Sequence, residues 1–90
     1  MVLKVQLYMQ KALITTSQIR AARALIKWTA NDLAANSGVG ISTIKRLEVM
    51  PGVPAINVTT MVAIQKALEA AGIEFVGSPD DRPGVRHNQS

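Results

Sequence analysis

The chain has no cysteine, which excludes a disulfide framework, a thiolate metal site and a cysteine nucleophile, and which suits a reducing cytoplasm. It holds a single histidine, His87, near its end, and only six Asp and Glu residues in 90. Two of these, Asp80 and Asp81, are neighbours in a Pro/Gly-rich stretch, where they read as turn formers rather than as a catalytic pair. Neither a His-based triad nor a set of metal ligands assembles from this inventory, so the chain reads as a non-enzyme that needs no cofactor and no metal. Aromatic residues are reduced to Trp28, Tyr8 and Phe75, too few for a stacking platform for single-stranded nucleic acid. No apolar run approaches the roughly 20 residues of a membrane-spanning helix. The N-terminus resembles a signal sequence only at first sight, because Lys4, Gln6, Gln10 and Lys11 interrupt the apolar run and no Ala-x-Ala cleavage pattern follows.

What remains is aliphatic and basic. Ninety residues make one domain with a modest core, and 48% of them are apolar. The formal net charge is +4. It is unevenly distributed: residues 1–72 hold eight Lys/Arg against three Asp/Glu, a net of +5, and residues 73–90 carry a net of −1. A compact domain with this excess favours a polyanionic partner, nucleic acid before a membrane surface.

Periodicity divides the chain into segments. Val2 to Met9 alternate as a strand, with a helix running through to Leu13 as the alternative, within an N-terminal extension spanning 1–14. The stretch SQIRAARALIKW, from Ser17, sets Ile19, Ala22 and Leu25 or Ile26 on one face and Arg20, Arg23 and Lys27 on another, the pattern of an amphipathic helix. Thr29, with Asp32 three residues on, is placed to cap a short second helix, ANDLAANS. Gly38 is suited to end it in the left-handed conformation, and Val39 to plug the corner as a buried anchor.

A third helix, ISTIKRLEV, follows Gly40 and spans about 41–49. Ile44 and Leu47 point inward together, and Ser42, Thr43, Lys45 and Arg46 point out. The break MPGVP ends it, and Asn57 caps a fourth helix with Met61, Ile64 and Leu68 on its apolar face and Gly72 as the stop. Residues 73–76 read as a strand, 77–84 as a loop, Val85-Arg86 as a short returning strand, and His87 to Ser90 as a frayed tail. The folded unit is expected over 15–76, with 77–90 as its loop, strand and tail.

Two helices joined at a steep angle by three or four residues are a helix-turn-helix, which leaves the second helix free to enter a major groove. The run from Ile19 to Glu48, with Trp28-Thr29, Asp32-Leu33-Ala34, Gly38-Val39 and Ser42 to Glu48, resembles the Xre/Cro/CI-type helix-turn-helix of phage repressors and related bacterial regulators. The segment ALEAAGIEF and the later PGVR resemble the closing helix and strand of its small single-domain members. The resemblance implies a mostly α fold: a four-helix, phage-repressor-like domain flanked by short β-strands at the two termini. It also implies a cytoplasmic, dimeric, sequence-specific transcription regulator that binds double-stranded DNA.

Carried over by position, the helix from Gly40 and Ile41 becomes the recognition helix. Ser42 and Thr43 then meet bases or phosphates, Lys45 and Arg46 meet the backbone or flanking bases, and Thr29 and Asn31 lie near a phosphate. Two positions depart from the pattern. Ala30 stands where Gln is common, and Gly40-Ile41 where Ser and a polar residue are common. These apolar residues motivate an alternative: a protein-interaction module of the same fold, an antiactivator or antitoxin that sequesters another regulatory protein.

Overall fold

The computed structural model describes residues 13–88; the strand expected over 2–9 lies outside them. Within this range there are four helices, α1 (Thr16–Ile26), α2 (Ala30–Ser37), α3 (Ile41–Leu47) and α4 (Val58–Ala70), followed by the strands β1 (Ile73–Ser78) and β2 (Asp81–His87). The architecture is mixed, with the helices closed by one antiparallel hairpin.

Local chemistry explains each helix start. Thr15 accepts a hydrogen bond from the Gln18 N–H, and Gln18 accepts one from the Thr15 N–H, a reciprocal box that starts α1. Thr29 and Asp32 form the same box at α2. The Asn57 side chain caps α4 by accepting from the Thr60 N–H. Gly40 precedes α3 and offers no side-chain cap, so α3 depends on packing. Ile44 and Leu47 supply it, both wholly buried. At seven residues, α3 is too short to stand without such contacts.

The core gathers Ile14, Ile19, Ala22, Leu33, Ile44, Leu47, Met61, Ile64, Leu68 and Ile73. Every helix and β1 contribute, so the inward faces expected from periodicity meet in one cluster. Ile14, expected in the N-terminal extension, is a core residue. Val39, expected as a buried anchor, is only partly buried, although it does pack against the core. Backbone stitches hold the helix ends together. The Thr16 N–H donates to the Gly52 carbonyl at 2.8 Å and the Thr16 hydroxyl to the Leu47 carbonyl at 3.3 Å. They tie the start of α1 to the end of α3 and the connection after it.

The hairpin corrects the expected loop over 77–84. Strand structure resumes at Asp81 after a two-residue turn, Pro79-Asp80, and runs to His87. His87, expected in a frayed tail, is paired across the sheet with Ile73. Asp81, Arg82, Pro83 and Gly84 are poor strand formers, which is why the segment reads as loop. Its partner strand and one side chain hold it instead. The buried Gln18 amide donates to the Val76 carbonyl at 3.2 Å and to the Gly84 carbonyl at 2.9 Å, bridging both strands from α1.

Candidate functional site

α2 and α3 are joined by only three residues, 38–40. Gly38 makes this possible: it takes φ 77° and ends α2 with its N–H donated to the Ala34 carbonyl, a conformation in which a Cβ is strained. The chain then leaves in extended form through Gly40 and enters α3 directly. Leu33 from α2 and Ile44 and Leu47 from α3 share the core, so the two helices pack on each other and α3 shows its opposite face to solvent.

That face carries Ser42, Lys45 and Arg46, all exposed; Thr43 is partly buried beside them. Thr29 and Asn31, at the start of α2, are exposed as well, as is Gly40. All eight sequence-predicted site residues therefore keep at least part of their surface; Ile41, partly buried like Thr43, also packs against the core. Ala30 packs there too. Both residues are partly buried, so each packs on the core and still shows part of its surface.

Thr29 caps α2 with Asp32 as the sequence suggests. Its hydroxyl oxygen accepts from the Asp32 N–H at 3.1 Å, and its own N–H donates to the Asp32 carboxylate at 2.8 Å. The start of α2 thus already holds an anionic group of its own, and the helix dipole there is partly satisfied from within.

The electrostatics of the region turn on a residue whose role the sequence does not reveal. Arg23, expected on a solvated face of α1, reaches the carboxylate of Glu48, just beyond α3. Its Nε and one terminal nitrogen each lie 2.7 Å from a carboxylate oxygen, and its other terminal nitrogen donates to the Trp28 carbonyl at 2.9 Å. The two side chains are 20% and 10% exposed. A forked, largely desolvated pair of this kind is both strong and directional. It has a consequence for α3. Glu48, the acidic residue nearest Lys45 and Arg46 in sequence, is turned away and neutralised. Among the described residues neither Lys45 nor Arg46 forms an ion pair. Their charge is left to solvent and to whatever approaches α3.

Only proximity in space could have revealed the Arg23–Glu48 link, which spans 25 positions; the helical period of α1 and α3 gives no hint of it. Among the described residues no group of three or more His, Cys, Asp or Glu side chains is placed to hold a metal ion, and no helix is long and apolar enough to cross a membrane. No protein-family model, curated protein or solved structure matches this chain, so its function is read from its own residues.

Proposed function

We propose that the chain is a helix-turn-helix transcription regulator of the phage-repressor type, which binds double-stranded DNA as a homodimer in the cytoplasm. One observation carries the reading. α3 rests on a fully buried apolar face and turns a polar, cationic face outward, and its neighbouring acid is removed by an internal ion pair. In this reading α3 enters the major groove, Ser42 and Thr43 approach base edges, and Lys45 and Arg46 neutralise phosphates. Thr29 and Asn31 approach the backbone from the side of α2. A dimer follows from reach, because a helix of this length covers too few base pairs for tight binding and such proteins read two half-sites about one turn apart.

The rival, an interaction module that sequesters another regulatory protein, rests on Ala30 and Ile41 as presented apolar groups. Both are partly buried against the core, so they offer that rival only a small apolar surface beside the exposed Ser42, Lys45 and Arg46.

Fluorescence anisotropy with a labelled duplex from upstream of the protein's own gene tests the proposal. Binding at nanomolar to micromolar protein, weakened by salt, is the expected result. Arg46→Ala is expected to weaken it about tenfold or more, since one phosphate or base contact contributes about 1–3 kcal/mol. The absence of salt-sensitive binding at micromolar protein overturns the reading. A stoichiometric protein complex formed by a chain that ignores DNA establishes the rival.

A further inference from the structure

The three basic residues that the sequence sets on one face of α1 take different roles in the structure. Arg23 is held by Glu48 and the Trp28 carbonyl. Arg20 and Lys27 are exposed and form no ion pair among the described residues.

Position along the helix separates these two. Thr16, Arg20 and Arg23 stand at i, i+4 and i+7, so they form one stripe along α1. Both ends of that stripe touch the C-terminal end of α3. The Thr16 hydroxyl donates to the Leu47 carbonyl at 3.3 Å, and its N–H donates to the Gly52 carbonyl at 2.8 Å. Arg23 holds Glu48 through two contacts of 2.7 Å. Arg20 lies between these attachments, which sets it beside the segment 47–52 with its side chain exposed. Lys27 has no such placement, because at φ 59° it leaves the helical course at the opposite end of α1.

We propose that Arg20 binds a backbone phosphate at the margin of each half-site, so that the DNA-binding surface extends from α3 onto α1. The inference rests on the DNA-binding reading and adds to it a contact from outside the helix-turn-helix. A recognition helix meets base edges with its N-terminal residues, which directs its last turn toward the sugar-phosphate wall. The seven residues of α3 span about 10 Å, against a major groove about 12 Å wide. A group beside the last turn of α3 therefore lies at the wall of the groove and not over the base pairs. The planar, forked guanidinium of Arg20 matches the paired oxygens of a phosphate there. Glu48, the acid at the same end of α3, is already neutralised by Arg23 and does not compete for it.

Anisotropy titrations of the full chain with the labelled duplex, over a series of salt concentrations, test the contact. Arg20→Gln should lower the slope of log affinity against log salt by about 1 for each bound copy, hence about 2 for a dimer. The affinity ratio between this duplex and an unrelated one should not change, since a phosphate contact carries no base sequence. Arg20→Lys keeps the charge and should keep the slope, and Lys27→Gln should leave it unaltered. Thermal unfolding of Arg20→Gln should match that of the parent, which separates lost binding from lost fold. Methylphosphonate linkages, introduced singly into the duplex, locate the contact: the parent should weaken at one position per half-site to which Arg20→Gln is indifferent.

An unchanged slope in Arg20→Gln overturns the proposal. Equal losses in Arg20→Gln and Lys27→Gln also overturn it, because net charge and not position then governs the effect. In both cases salt-sensitive binding by the parent leaves the DNA-binding reading standing. A parent that fails to bind the duplex at micromolar protein defeats both.

Discussion

Lys27 closes α1 in the left-handed conformation, with φ 59° and ψ 37°. A side chain with a Cβ is strained there by roughly 1–2 kcal/mol, and lysine has no local hydrogen bond of the Asn or Asp kind to offset it. The turn is nevertheless fixed. The Lys27 N–H donates to the Ala24 carbonyl at 3.2 Å, the Trp28 N–H to the Arg23 carbonyl at 2.9 Å, and Trp28 and Ile26 pack on the core on either side. Lys27→Gly is therefore expected to stabilise the fold by about 0.5–1 kcal/mol, the relief of strain being partly offset by the greater freedom of glycine in the unfolded chain. Thermal unfolding reads this as a rise in Tm of about 2–8 °C; an unchanged or lower Tm refutes the strain.

Residues of this kind mark the limit of what the sequence discloses. The Thr29–Asp32 box and the Gly38 cap are legible because each obeys a rule spanning a few positions. Lys27 is not, because the packing on either side forces a conformation that its own side chain disfavours. Arg23 is not, because its partner is set by the fold. The degree to which Ile41 is covered is not legible either, because it depends on how closely α3 seats against the core.

Among the elements, the helices follow their apolar periodicity closely and the hairpin does not. The faces of α1, α3 and α4 could be read from Ile19 and Ala22, Ile44 and Leu47, and Met61, Ile64 and Leu68, because a 3.6-residue repeat registers burial directly. β2 has no such repeat. Its course depends on the turn and on Gly77, which takes φ 74° where the register shifts between Val76 and Ser78. A Cβ on Gly77 would overlap the Arg82 carbonyl oxygen, and Arg82 itself holds φ 51° on the facing strand. That contact is backbone and cannot swing aside.

Gly77→Ala should therefore shift the β2 backbone and loosen the two hydrogen bonds from Gln18. A loss of about 2–4 kcal/mol is expected, combining backbone strain with a buried amide left short of partners. Urea denaturation measures it, and a loss below about 1 kcal/mol would mean that the hairpin contributes little to the core.

On the scale of the whole molecule, charge and symmetry make a joint prediction about DNA. In the proposed dimer each copy offers Lys45 and Arg46 on α3, which form no ion pair among the described residues, within a chain of net charge +4. Each phosphate neutralised releases condensed counterions, so the logarithm of the affinity falls with the logarithm of salt concentration with a slope of about −0.9 per phosphate. If each copy neutralises two phosphates through these side chains, a dimer should show a slope of about −4, and steeper if Arg20 or Lys27 also approaches the backbone. Lys45→Ala in the parent dimer should lower the slope by about 2, because the loss occurs once in each copy. Anisotropy titrations between 50 and 300 mM salt (about a sixfold range, ample for slopes of this size) separate these cases. An unchanged slope in Lys45→Ala would place the DNA on another face of the molecule.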